Sequence, residues 1–124
     1  MSEVKPVPRR VEKPWGHELI WAHTERYVGK TLHIKAGHAL SLQFHRIKDE
    51  TLHCLSGDLE LELDEGAGLF RRKLAPGDSY RVATGTKHRM IAVSDVDVLE
   101  ASTPELDDVV RLEDRYGRAG TSKA

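Results

Sequence analysis

The sequence predicts an all-β, single-domain fold, a sandwich or barrel of short strands, and three observations carry that reading. From Trp15 onward turn signals recur about every 8 to 12 residues, the spacing of strands joined by tight turns. In the run Leu59-Glu60-Leu61-Glu62-Leu63-Asp64, leucines alternate with acids, which places three leucines on one face of a strand and three carboxylates on the other. The chain of 124 residues supports one core, since a domain of this size buries roughly two-thirds of the surface exposed by its unfolded form.

Taken in order, residues 1–13 form an N-terminal arm or edge strand. Pro6 and Pro8, with Pro14 just beyond, deny the backbone donors that a central strand needs. Residues 14–118 are the barrel domain. Its turns are expected at Val28-Gly29, Ala36-Gly37, Ser56-Gly57-Asp58, Asp64 to Gly68, Pro76-Gly77-Asp78, Thr84-Gly85 and Ser94-Asp95. The segment Ala39–His45 reads as a strand with two possible orientations. Either Leu40, Leu42 and Phe44 face a core while Ser41, Gln43 and His45 are solvated, or the polar face lines a barrel interior and the apolar face points outward. Ser102-Thr103-Pro104-Glu105 reads as the start of a short helix running to 114, with Pro104 at its first position. Residues from Gly117 look frayed, with 119–124 a flexible tail.

Nineteen Lys and Arg against twenty Asp and Glu, interleaved, give a net charge of -1. That balance disfavours nucleic acid and anionic membrane as partners. No run of 18 apolar residues occurs and the N-terminus has no apolar signal segment, so neither a membrane span nor export is expected. Cys54 is the only cysteine and cannot form an internal disulfide, which makes a cytoplasmic setting the default expectation.

Seven histidines are present. His17, His23, His33 and His38 sit beside turns or alternate with apolar residues and read as solvated; His53 reads as a packing residue. His45 and His88 differ by their company. Gln43 and His45 stand two apart on one strand face, and Glu50 follows after four more residues, on what reads as the antiparallel neighbour. Gly77, Ala83, Gly85 and His88 form a second spaced cluster that supplies a further imidazole. Two imidazoles, a carboxylate and an amide oxygen make a compact set for a divalent metal.

These two clusters, 19 residues apart from 58 to 76, resemble the paired motifs of the cupin superfamily. More closely, Pro14-Trp15-Gly16, Leu40-Ser41-Leu42-Gln43 with His45, Gly85 with His88-Arg89, and Asp107 to Asp114 with Tyr116-Gly117-Arg118 resemble the isomerase (C-terminal) domain of bifunctional mannose-6-phosphate isomerase/mannose-1-phosphate guanylyltransferases. The resemblance implies a cupin jelly-roll barrel holding one divalent metal on Gln43, His45, Glu50 and His88. Zinc is expected, although the same ligands accept manganese, iron or nickel. The chain departs from the family at Lys48, where an arginine is usual, at Leu52 in place of tryptophan, and at Ala83 and Ala92 in place of proline and asparagine. These positions touch the pocket wall and a turn, so they bear on the sugar and leave the metal set intact. No Gly-rich phosphate loop precedes a helix, so a nucleotidyltransferase half is not expected in these residues.

The implied activity is aldose–ketose isomerisation of a phosphorylated sugar, mannose 6-phosphate to fructose 6-phosphate. A proton must move between adjacent carbons, and Lys48, Glu100 and Arg111 are the candidates to reach it. Arg111 is also the expected phosphate clamp, because Arg89 follows His88 and should point out of the barrel. The rivals are a non-catalytic, metal-containing sugar-binding or regulatory cupin and an iron-dependent cupin oxygenase. A homodimer is expected if Leu40, Leu42 and Phe44 face outward and need cover.

Overall fold

Each of Leu59, Leu61 and Leu63 is fully buried, and the acids between them sit on the opposite, partly exposed face, as their alternation requires. The computed structural model describes residues 4–121 and contains no helix among them. In chain order the strands are β1 (Arg9–Lys13), β2 (Gly16–His23), β3 (Val28–Ile34), β4 (Leu42–Phe44), β5 (Glu50–Ser56), β6 (Leu59–Asp64), β7 (Leu69–Leu74), β8 (Ser79–Val82), β9 (Lys87–Ala92), β10 (Val96–Ser102), β11 (Val110–Glu113) and β12 (Gly120–Thr121). They form two antiparallel sheets, β1-β2-β3-β10-β5-β8 and β12-β11-β4-β9-β6-β7, which face each other as an all-β jelly roll.

The proline-marked arm is an edge strand, β1, paired only with β2. The turn after it is tight. A Cβ on Gly16 would lie 1.9 Å from the His33 carbonyl oxygen, and at φ 152° only glycine fits. Trp15 is thereby set into the core at 2% exposure.

The inward positions change character along the strands. On β3 they run Lys30, Leu32, Ile34; on β10, reading the other way, Glu100, Val98, Val96; on β5, Glu50, Leu52, Cys54. Because these strands are registered side by side, the charged positions collect at one end of the barrel and the apolar ones close the other. The fold thus keeps a polar interior at one end and a dry core of Leu32, Ile34, Leu59, Leu61, Cys54 and Val96 at the other.

Four expectations change. Val28-Gly29 is not a turn but lies inside β3, where Gly29 makes room for the Trp21 ring: a Cβ there would come within 2.6 Å of it. The expected helix over 104–114 is absent; bends and turns lead from Pro104 into β11, whose Val110 and Arg111 pair with both β4 and β12. β-branched Val110 and cross-strand partners outweigh the helix-start signal. The tail is not free from 119, since Gly120–Thr121 pairs with β11; residues 122–124 lie outside the described residues. Lastly, Leu40, Leu42 and Phe44 do not share an outward face. Leu40 joins the core at 8% exposure, because the chain around Ala39 makes only an isolated bridge to Ile91 and the strand alternation starts anew at Leu42. Leu42 is covered at 4% exposure and Phe44 is half-buried, so the three-residue apolar patch on which the dimer expectation rested is not formed.

Candidate functional site

At the polar end, His45, Glu50 and His88 converge, each no more than 3% exposed, with one ligand atom from each lying within 4.8 Å of the others. His88 stands on β9, His45 directly follows β4, and Gln43 is the cross-strand partner of His88. Glu50 opens β5 in the opposite sheet. The sequence-based placement of Glu50 on the strand adjoining β4 is therefore corrected: β4 is flanked by β11 and β9, and the chain changes sheet between β4 and β5. The cluster is closed across the barrel, not along one sheet.

Each imidazole is held by its Nδ1, whose N–H donates to a backbone carbonyl: Asp108 for His45 and, at 2.8 Å, Thr86 for His88. That fixes the tautomer and leaves both Nε2 lone pairs directed at Glu50, His45 Nε2 at 3.2 Å and His88 Nε2 at 3.5 Å. His45 Nε2, His88 Nε2 and Glu50 Oε2 are buried with no hydrogen-bond partner. Three orphaned, inward-aimed donors of this kind fit a divalent cation, and the backbone-anchored Nδ1 atoms are the support that metal-binding histidines use. Gln43 lines the adjoining cavity, and its Oε1 accepts a 2.6 Å hydrogen bond from Ser41 Oγ.

The loop carrying His45 to Lys48 is braced from outside. Asp108's carboxylate accepts the backbone N–H groups of Arg46, Ile47 and Lys48 at 3.1, 2.7 and 2.9 Å, and Thr84 Oγ1 donates to the carbonyls of Ile47 and Lys48. Burial works to raise the Asp108 pKa, but the three N–H bonds outweigh it and hold the carboxyl below its ordinary range. Its stabilising contribution is then full above the unfolded-state pKa of about 3.9 and is lost as pH falls through the lower folded value. Asp108→Ala is expected to destabilise the protein by about 2 kcal/mol at pH 7. Urea unfolding at pH 7 and near pH 3 checks this: the parent–variant difference should shrink at the lower pH.

From Glu50 a ladder of buried charges of alternating sign crosses the cavity. Lys48 Nζ lies 3.2 Å from Glu50 and 3.1 Å from Glu100; Lys30 Nζ lies 3.6 Å from Glu100 and 3.2 Å from Glu18. Burial alone would lower the Lys48 pKa, yet Glu100 and Glu50 reverse this and raise it above the ordinary lysine value, so its ammonium stays charged. For Glu50, burial is opposed by Lys48 and by contacts with the two histidines, and the carboxyl is held well below its usual range.

All three candidates for proton transfer, Lys48, Glu100 and Arg111, line one cavity, together with Gln43. Arg111 stands on β11, within the barrel, 6% exposed, with its Nε unpartnered. Arg89 points away from His88, toward Glu62 and Glu113. Of the remaining histidines, His33 bonds Asp97, His38 the Tyr116 hydroxyl and His53 the Ser79 hydroxyl, all away from the cluster. Lys13, Glu18, Lys30 and Arg118 also line the cavity and escaped the sequence reading. For Glu18 and Lys30 the signal was present: each is a lone charge among the apolar positions of its strand face.

A jelly roll with a two-histidine, one-carboxylate cluster at the polar end of its barrel defines a class, and comparison with known proteins agrees. The cupin domain matches residues 30–101, more than half of the chain, and the protein belongs to the cupin family. Within it, the chain is 32% identical over 115 residues to mannose-1-phosphate guanylyltransferase ManC of Salmonella typhimurium, covering 89% of this chain and 23% of that protein. It is 31% identical over 116 residues to alginate biosynthesis protein AlgA of Pseudomonas putida, covering 90% of this chain and 23% of the relative. The chain thus spans about a quarter of the length of the curated relatives it matches. Among solved structures, KdgF from Halomonas sp. superposes with a TM-score of 0.66 at 24% identity, covering 84% of this chain and 89% of that one. Capsular polysaccharide assembling protein CapF from Staphylococcus aureus gives 0.76 at 14% identity, covering 88% and 32%. These likenesses show the shared barrel. No helix among the described residues is long and apolar enough to cross a membrane.

Proposed function

We propose that the protein is a metal-dependent isomerase of a phosphorylated sugar, interconverting mannose 6-phosphate and fructose 6-phosphate. The observation that carries the reading is a metal-competent cluster whose neighbours Gln43 and Lys48 line a buried cavity together with Glu100 and an excess of cations. His45, Glu50 and His88 would hold the ion, with Gln43 as the fourth donor, and zinc suits the set because no step needs redox change. A divalent ion there supplies Lewis-acid stabilisation of negative charge on the sugar oxygens.

Among the three candidates for moving the proton, chemistry separates the roles. Lys48 is kept protonated by Glu50 and Glu100 and has no lone pair to offer. A guanidinium does not deprotonate in proteins, which removes Arg111 as a base. Glu100 remains: it faces the cavity as a buried carboxylate, with Lys48 Nζ 3.1 Å from its Oε2. Glu100 takes the proton from C2 of the open-chain aldose and returns it to C1, while the hydroxyl proton passes between the two sugar oxygens. Lys48, charged and adjacent, stabilises the enediolate as it develops. The cavity has about 40 Å³ of free space, enough for a few waters, so a hexose phosphate must displace them and widen the cavity.

A coupled assay of fructose 6-phosphate formation tests this. Turnover is expected with one equivalent of divalent metal and is expected to stop with chelator. Glu100→Gln should lower kcat by about a hundredfold or more while retaining the metal. A metal-loaded parent with no turnover would overturn the reading and favour a non-catalytic sugar-binding cupin.

A further inference from the structure

Two stretches of chain cross between the sheets at the polar end. Residues 45–49 lead from β4 in one sheet to β5 in the other, and residues 103–109 lead from β10 back to β11. The first crossing starts with His45 and ends beside Glu50, so the spacing of those two ligands is set by a stretch that belongs to neither sheet. Its backbone groups must find partners elsewhere, and the second crossing supplies them. Asp108 Oδ1 accepts the N–H of Arg46, and Oδ2 accepts those of Ile47 and Lys48. Thr103 Oγ1 accepts the N–H of Asp49 at 3.0 Å, and the Thr103 N–H returns a bond to the Asp49 carbonyl at 3.0 Å. Four consecutive N–H groups, from Arg46 to Asp49, are thus held by residues 103 and 108. Asp108 has a further contact, because its own carbonyl is the acceptor for His45 Nδ1. It is held in turn by its N–H, which donates to the Glu105 carbonyl at 3.2 Å.

We infer that Asp108 is a positioning residue for the His45–Glu50–His88 cluster: by clasping the two crossings together it holds the His45 ring in the tautomer and orientation that present Nε2 to Glu50. The inference rests on the metal reading of the cluster and is independent of the reaction assigned to it. One residue reaches the site by two routes, its carboxylate fixing the backbone that follows His45 and its carbonyl fixing the ring. A histidine whose ring is already oriented binds an ion without first being ordered, and partners of this kind raise metal affinity without touching the metal. Loss of the carboxylate is a local event. Arg46 and Ile47 are exposed, so their freed N–H groups can turn to water while the loop relaxes, and the apolar end of the barrel is not involved. The expected result is a folded protein with a loosened His45, which separates positioning from general support of the fold.

Two measurements on the full chain test this, and neither needs turnover. Nitrogen NMR of the imidazoles in the zinc-free protein should show His45 as one tautomer in the parent, with its proton on Nδ1, and as a mixture of both in Asp108→Ala. Competition for zinc against a chelating indicator should show Asp108→Ala binding the ion about tenfold or more weakly. Asp108→Asn keeps an oxygen for Ile47 and Lys48 and should restore one main tautomer and a zinc affinity within about threefold of the parent. Ile34→Val, which loosens the apolar end, and Asp107→Ala, which removes the adjacent exposed charge, should match the parent in both measurements. If Asp108→Ala does not fold, Asp108→Ser is read in its place with the same losses expected. Equal zinc affinity in the parent and Asp108→Ala, with His45 as one tautomer in both, would overturn the positioning role and leave the metal cluster standing. A tautomer mixture already present in the parent would also overturn it. A parent that binds no zinc would reject the metal reading instead, and the tautomer comparison would then decide by itself whether Asp108 orients His45.

Discussion

His45→Ala with His88→Ala is expected to reduce bound divalent metal from about one ion per chain to near none, and to lower isomerase turnover by about a thousandfold or more. The two imidazoles supply both nitrogen donors of the cluster, and nothing else among the described residues replaces them: His33, His38, His53 and His23 are turned toward Asp97, Tyr116, Ser79 and Arg9, and His17 stacks on His33. Elemental analysis of parent and variant after identical purification is the check. The fold should survive, because His45 and His88 are tied to the framework only through Nδ1 and the apolar end of the barrel is untouched. Equal metal content in the two proteins would mean that the cluster is not the site. Zinc, manganese, iron and nickel are distinguished by the same measurement.

The second large effect is on stability. Among the described residues Lys48 is the only lysine or arginine within 4 Å of Glu50, and it shares Glu100 with Lys30. Lys48→Ala leaves two buried carboxylates short of a partner, for which a cost of about 3–5 kcal/mol is typical. For a domain of this size that corresponds to a fall in Tm of roughly 10–20 °C. Two further results follow from the same charges. Lys48→Met with Glu100→Gln removes a charge of each sign and should lose less than Lys48→Ala alone. Added divalent metal should recover part of the loss, since it offers Glu50 a new counter-ion. Thermal melts with and without metal check all three, and a Lys48→Ala protein melting within about 2 °C of the parent would contradict the buried ladder.

How much was legible in advance depended on whether a feature is local. The Leu59–Leu63 alternation, most of the glycine turns and the proline-marked edge strand are properties of neighbouring residues, and their sequence reading agrees with the fold. The spacing of Gln43, His45, Glu50 and His88 was readable as a pattern, yet the path by which Glu50 meets the histidines was not, because strand pairing across two sheets is a long-range matter. The same limit hid the ladder. Lys30 and Glu18 are far apart in sequence from Glu100, and only the register β2-β3-β10 brings them together. The orientation of Ala39–His45 stayed open because a single alternation was carried through Ala39–Leu42, where the backbone leaves the ladder for an isolated bridge. The C-terminal segment failed for another reason: Pro104 after Ser102-Thr103 is a genuine helix-start signal, overridden by pairing of β11 with β4 and β12.

On the proposed function, this barrel moves a proton between C2 and C1 of a sugar phosphate beside a bound metal. Proton NMR of mannose 6-phosphate incubated in D₂O with the metal-loaded protein tests it most directly. Growth of fructose 6-phosphate signals is expected, with loss of the C2–H signal of the aldose on the same time course, neither occurring with Glu100→Gln. Unchanged mannose 6-phosphate in the presence of the metal-loaded parent would contradict it.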